Sequence, residues 1–421
     1  MKRRSFIKGV AAAGSLSLLP AGVVGSVLTG CSGKGPEWDF DEVVDRSGTW
    51  SIKHGRAGEG QLPMWIADMD FKTDPYVSRA LQERISRDAM GYTFTPDEFY
   101  DSIAAWQLKR HGYAVQREWI GYAPGVITAI NQAYLVFSEP GDKVVVQSPV
   151  YDHFRLYAER LGRTVVENPL IFEDGRYRMD LEGLEALIDE RTKILVLCNP
   201  HNPGGICWDA DSLRALASIC ARRGVLVFSD EIHSDLVLGG GRHVPFCSVS
   251  DEAAAIGLIF SGPTKSFNLA GISGTAYCII PDKSLRDRYR KHLGDAKLGE
   301  ASIMSLVATI AAYSHEPRWL DSLLVYLQGN VDCLCDFLDS RSLGIRAVRP
   351  EASFLVWLDC RGLGLGQSEL MSFFRDDVGI LLNDGSSYGS GGEGFVRLNI
   401  GCPRSVLMTA LERIAAAVGA R

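Results

Sequence analysis

From Lys143 onward the chain alternates short, unbroken apolar runs with longer stretches in which apolar residues recur at helical spacing. Lys143-Val-Val-Val-Gln147, Lys193-Ile-Leu-Val-Leu-Cys198, Val225-Leu-Val-Phe-Ser229 and Ile256-Gly-Leu-Ile-Phe260 are such runs, rich in β-branched and aromatic residues. A strand with one face in water alternates apolar and polar positions. A run that is apolar throughout suits a strand buried on both faces, as in a parallel sheet covered by helices. Between the runs lie amphipathic patterns such as Ser212–Arg223, closed by Gly224 just before the next run, which is a helix stop signal. Strand–helix–strand repetition predicts an α/β fold whose mostly parallel sheet is flanked by helices.

The texture changes near Pro317. A long helical pattern covers Arg318 to about Arg341, and a polar helix is expected around Gln367–Asp377. Ser353-Phe-Leu-Val-Trp-Leu358 and Phe395-Val-Arg-Leu-Asn399 read as strands. These elements predict a smaller α+β domain over residues 317–421, beside a large domain over residues 75–316. Residues 38–74 carry too little periodicity to fold alone and are expected to join the smaller domain. No internal repeat or low-complexity segment interrupts the pattern.

The first thirty residues follow other rules. Lys2, Arg3, Arg4 and Lys8 precede an apolar stretch from Gly9 to Leu28, and Leu28-Thr-Gly-Cys31 follows. A charged region, an apolar region and a small-residue site in that order make a leader peptide rather than part of the fold. Residues 1–31 are therefore expected to be a twin-arginine signal ending in a lipobox. Cys31 would carry the lipid and attach the chain to the membrane of the periplasm or cell envelope. Residues 32–37 would serve as a tether.

Charge narrows the choice of partners. The chain of 421 residues carries 44 basic and 51 acidic side chains. Without its first thirty residues it holds 40 basic against 51 acidic, a formal charge of −11. That balance, with no basic run, repels a polyanion, so no nucleic-acid partner is expected. Ten cysteines include Cys31 and leave nine, an odd number set mainly in apolar runs, which fits small buried thiols. The eight histidines are scattered without a pair at helical spacing beside a carboxylate, so no metal site is expected.

Ligands of a parallel sheet gather at the carboxyl ends of its strands, which makes the residues after each apolar run the informative ones. After Lys143–Gln147 comes Ser148-Pro-Val-Tyr151, which can aim a ring into a cleft. After Lys193–Cys198 comes Asn199-Pro-His-Asn202-Pro-Gly-Gly205, a tight turn bearing an amide. After Val225–Ser229 comes Asp230-Glu-Ile-His233, an acid that burial can pair with a cationic ring nitrogen. After Ile256–Phe260 comes Ser261-Gly-Pro-Thr264-Lys265-Ser-Phe-Asn268, one lysine among small and hydroxyl residues. Upstream, Tyr122-Ala-Pro-Gly125-Val126-Ile127 opens a helix, whose N-terminus can cradle a phosphate. Singly, each signal has an ordinary structural explanation: a solvated lysine, a turn-forming acid, a rim aromatic. In this order they describe a pyridoxal 5′-phosphate (PLP) site.

The same motifs, with Phe395-Val-Arg-Leu-Asn399 and Gly401-Cys-Pro-Arg404, resemble the class I/II aminotransferase superfamily of fold-type I PLP enzymes. Within it, Asp68-Met-Asp-Phe71, Gly91-Tyr92, Asn199-Pro-His-Asn202, Asp230-Glu-Ile-His233, Lys265-Ser-Phe-Asn268 and Gly401-Cys-Pro-Arg404 resemble the MalY/PatB-type cystathionine β-lyase (C–S lyase) branch. The resemblance implies that Lys265 binds PLP covalently and shuttles the substrate Cα proton. It implies that Asp230 pairs with the ring nitrogen, that Asn202 and His233 lie near the ring's phenolic oxygen, and that Tyr151 stacks on the ring. Gly125, Val126 and Thr264 would contact the phosphate, and Arg397 would bind the α-carboxylate of an amino-acid substrate. Tyr92 would reach the site of a neighbouring subunit, which implies a homodimer. Many aminotransferases of this superfamily place a phosphate-binding arginine eight residues after the lysine; here that position is Ser273, and the lyase branch also tends to lack the arginine. The expected reaction is therefore α,β-elimination from an amino acid with sulfur on Cβ. An aminotransferase on the same core is the alternative. A non-catalytic surface lipoprotein is a third reading, which loss of Lys265, Asp230 or Arg397 would have favoured; all three are present.

Overall fold

The unbroken apolar runs form the inner strands of a seven-stranded sheet. In chain order its strands are β1 (Ile120–Ala123), β2 (Lys143–Val146), β3 (Thr164–Glu167), β4 (Thr192–Cys198), β5 (Leu226–Asp230), β6 (Gly257–Ser261) and β7 (Ala276–Ile279). Their spatial order is β1-β7-β6-β5-β4-β2-β3, with β7 antiparallel to both neighbours and every other pairing parallel. All five residues of β6 are buried, as are all of β5 but Leu226. That is the two-sided burial the sequence pattern predicts, with each enclosed Val, Leu or Phe contributing about 1.5–3 kcal/mol over exposure. The computed structural model describes residues 38–421. The twin-arginine leader, Cys31 and the tether lie outside the described residues. Contacts gather Phe40–Arg421 into one unit.

Helices cover the sheet. Helix α1 (Val126–Phe137) follows β1 through Pro124 and Gly125. Helix α2 (Ala210–Arg222) matches the predicted amphipathic stretch. Asp209 caps its first turn by accepting from the Ser212 amide at 2.8 Å, and Gly224 past its end has φ 66°. Helix α3 (Arg318–Asp339) ends two residues short of the expected Arg341.

The C-terminal strands β8 (Arg346–Val348), β9 (Leu355–Asp359), β10 (Asn383–Asp384) and β11 (Phe395–Asn399) form a second, antiparallel sheet in the order β8-β9-β11-β10. Helix α4 (Arg404–Gly419) follows it. The helix expected around Gln367–Asp377 is α-helical only to Ser372; Phe373–Val378 widen into a π turn that buries Phe373, Phe374 and Val378. Upstream of the large sheet, Leu62–Pro63 pair in parallel with Ile380–Leu381, and the Asn399 amide donates to the Met64 carbonyl at 3.0 Å. Residues 64–71 continue from there as a strap. All nine cysteines of the described residues are free thiols, seven buried and two half-buried (Cys207 and Cys333). No helix of the described residues is long and apolar enough to cross a membrane.

Candidate active site

Register brings the chemistry together. Cys198 at the end of β4 lies opposite Asp230 at the end of β5, and Asp230 lies opposite Phe260 in β6. The segments that leave these strands therefore share one edge, where they line a cleft of about 590 Å³, a size common for small-molecule sites. Gly125, Val126, Tyr151, Asn202, Asp230, His233, Thr264, Lys265 and Arg397 all line it. Tyr92 does not; it is fully exposed, on a segment that also exposes Met90 and Phe94. Cys31 is not described.

Lys265 follows β6 by four residues. Its Nζ donates to the Ala67 carbonyl at 2.7 Å. Burial, then the nearby Arg397 charge, lower its pKa to about 8, against the pull of Asp68 and Asp230. Asp230 is itself buried. That burial raises its carboxyl to about 7, with the Ile232 amide (3.0 Å to Oδ1) and Lys265 opposing and the Glu231 charge adding to the rise. It is an acid short of a positive partner. His233 is pushed down to about 3 by burial and by the Lys265 and Arg397 charges, so its ring is neutral; its Nδ1 is buried and unpartnered.

Arg397 comes from the other sheet, in the middle of β11. Its Nη1 donates to Asn202 Oδ1 at 3.2 Å, and its Nη2 donates to the Trp65 carbonyl at 2.9 Å and to Asn383 Oδ1 at 2.7 Å. Its Cζ lies 5.5 Å from the centre of the Tyr388 ring. Every hydrogen-bond partner is neutral and Nε is unpartnered, which leaves the guanidinium open to an incoming anion. The accepting Oδ1 of Asn202 also fixes that side chain, leaving its amide hydrogens free to donate.

The remaining predicted residues surround these. Gly125 (φ 144°) precedes the first turn of α1, whose unpaired amides face the cleft. Thr264 Oγ1 donates to the Thr275 carbonyl at 2.9 Å, which ties the segment before Lys265 to β7's approach. Tyr151 stacks on His153, with ring centres 4.7 Å apart and planes 4° from parallel, and burial raises its hydroxyl pKa. Sequence reasoning missed several lining residues. Trp65, Ile66 and Ala67 line it on one segment, where Trp65 and Ala67 act through carbonyls that no side chain announces; Asn383 and Tyr388 sit on short segments without a strong pattern; Asp152 and His153 follow directly on the Tyr151 motif.

The chain matches the model of the family described as aminotransferase class I and II over residues 61–414. It is 41% identical to cystathionine beta-lyase PatB of Bacillus subtilis (strain 168) over 386 residues, which cover 90% of this chain and 100% of that one. It is 38% identical to protein MalY of Escherichia coli (strain K12), covering 88% of this chain and 96% of MalY. Among solved structures, cystalysin from Treponema denticola, which contains a pyridoxal 5′-phosphate cofactor, superposes with a TM-score of 0.87 at 31% identity, over 91% of this chain and 99% of that one. The PLP-bound C–S lyase of Staphylococcus hominis superposes with a TM-score of 0.84 at 29% identity, over 91% and 99%.

Proposed function

The chain belongs to the aminotransferase class I and II family, and on that premise we propose that it is a PLP-dependent carbon–sulfur β-lyase, which cleaves L-cystathionine and related cysteine S-conjugates to a thiol, pyruvate and ammonia. The observation that carries the reading is a buried guanidinium held only by neutral hydrogen-bond partners (Arg397), sharing one cleft with a lysine whose pKa is brought down to about 8 (Lys265). Elimination, rather than amino transfer, is supported by the similarity to PatB across that relative's full length.

The residues of the cleft fit PLP. Asp230 is a buried carboxyl lacking a cation, which the ring nitrogen provides. His233 Nδ1 is a buried atom lacking a partner, and with the Asn202 amide it suits the phenolic oxygen. The amides of Gly125 and Val126, at the entry to α1, with Thr264, suit the phosphate. Lys265 is the amine that would hold PLP. Bound there, PLP supplies an electron sink beside the substrate Cα.

The chain's own residues do the rest. Arg397 takes the α-carboxylate and so fixes where Cα lies. Lys265, neutral in part near neutral pH, accepts the Cα proton at Nζ. The Ala67 carbonyl, 2.7 Å away, accepts an N–H hydrogen bond from the resulting ammonium. As the Cβ–S bond breaks, the same ammonium can return a proton to sulfur, and the thiol leaves. The three-carbon remainder takes up water and becomes pyruvate and ammonia. A homodimer in which Tyr92 completes the neighbour's site, and export with lipid attachment at Cys31, complete the proposal.

The test uses the chain after Cys31, loaded with PLP, with L-cystathionine and no keto acid. Pyruvate and a free thiol are expected in equal amounts. Turnover only after a keto acid is added would replace this reading with an aminotransferase.

A further inference from the structure

Arg397 lies on β11 of the C-terminal sheet and Lys265 on the turn that follows β6 of the large sheet, and no hydrogen bond joins them. What joins them is the strap. Successive carbonyls of Trp65–Asp68 serve partners in turn: Trp65 O takes Arg397 Nη2 (2.9 Å), Ile66 O takes Asn399 Nδ2 (2.6 Å), Ala67 O takes Lys265 Nζ (2.7 Å), and Asp68 O takes Asn399 Nδ2 again (2.6 Å). Asn399 is buried and stands two residues after Arg397 on β11, hence on the same face of that strand. Its single amide bridges the carbonyls of Ile66 and Asp68, while its Oδ1 accepts from the Gly401 amide at 2.7 Å. Lys53 Nζ adds a second hold on the Asp68 carbonyl at 3.1 Å.

We propose that Asn399 is a positioning residue: by clamping Ile66 and Asp68 to β11 it sets the neighbouring carbonyls of Trp65 and Ala67, and through them the separation of the Arg397 guanidinium and the Lys265 amine. The inference rests on the roles given to those two residues above. Proton removal needs Cα within reach of Nζ while the carboxylate stays on Arg397, and a misplacement of about 1 Å can cost about a hundredfold in rate. Two anchors on one strap, two residues apart, keep that spacing constant. The strap itself has no reacting group.

Asn399→Asp separates this role from general support. It keeps the acceptor for the Gly401 amide but loses both donors to the strap. The expected result is a fall in kcat of about tenfold and a rise in KM of about tenfold together, because both anchors shift. Glycine, which has a carboxylate and an amine but no Cβ, provides a readout that does not depend on turnover. Its binding to the holoenzyme, followed by visible absorbance, should weaken about tenfold as well. Asn330→Ala is the control. Asn330 also bridges two buried carbonyls (Ile400 and Cys402, both at 2.9 Å) but touches neither the strap nor the cleft. It should lower the melting temperature and leave KM and glycine affinity unchanged. If Asn399→Asp does not fold, Asn399→Ser, which retains one donor, should show a smaller shift of the same three quantities. Wild-type KM and glycine affinity in a folded Asn399 variant would overturn the proposal. A wild-type enzyme that binds glycine but forms no pyruvate would instead overturn the lyase reading and leave the glycine test in force.

Discussion

At Asp230, burial and function pull against each other. Burial holds the carboxyl protonated to about pH 7 in the folded chain, whereas its ordinary value is 3.8. Between these values the folded PLP-free protein binds more protons than the unfolded chain, so this group's contribution to stability falls as pH rises, by up to about 1.4 kcal/mol per pH unit. It is fully present below pH 4 and lost above pH 7. Asp230→Asn removes the titration. The melting temperature of the PLP-free variant minus that of the PLP-free wild type should therefore grow from pH 4 to pH 7 and level off above; a difference that stays flat with pH would show that Asp230 is not the strained group. Asp230 and Lys265 were legible in the sequence because each is a charged side chain in the segment that follows an apolar run; Arg397 was found through the family resemblance, inside a run read as a strand. Ala67 and Trp65 were not, because they act through carbonyls that every residue type possesses. Asn399 was read only as part of a strand, since its role depends on which segment lies across it.

The strands themselves were the most legible elements. Continuous apolar runs have few alternatives to two-sided burial, and β11 coincides with the stretch Phe395–Asn399 read from the sequence. Less legible were places where packing outweighs local preference. The helix from Gln367 loosens after Ser372 because two consecutive phenylalanines turn inward, which helical spacing alone does not provide for. The entry to α1 is set by conformation rather than space. Gly125 has φ 144° and ψ 147°, a region open to glycine, yet an added Cβ would meet only Thr128 Oγ1, at an ordinary 3.7 Å. Gly125→Ala would thus carry backbone strain of about 1–3 kcal/mol without a clash. The turn would relax and redirect the first amides of α1. Equilibrium dialysis should show PLP bound about tenfold more weakly; unchanged affinity would remove those amides from the phosphate site.

On the scale of the whole molecule, the exposed Tyr92 tests the dimer. If each site takes Tyr92 from one subunit and Lys265 from the other, Lys265→Ala and Tyr92→Ala proteins, each inactive, should recover activity when unfolded and refolded together. Half the dimers would be mixed and half their sites intact, giving about a quarter of wild-type activity; no recovery would place Tyr92 outside the site. The leader is tested in cells. Fatty-acid label should enter the wild-type chain and be lost in Cys31→Ser, and label in neither would leave the chain without an anchor at that residue. The strap bridges both sheets and carries a different kind of constraint. Its carbonyls alternate between cleft and clamp, so the assignment is one of parity. Exchanging a side chain between Trp65 and Asp68 leaves odd and even carbonyls where they are. Removing one residue swaps them, handing the clamp's carbonyls to Arg397 and Lys265 and the anchors' carbonyls to Asn399. This stretch of chain is therefore read by counting: a change of length by one moves every anchor at once.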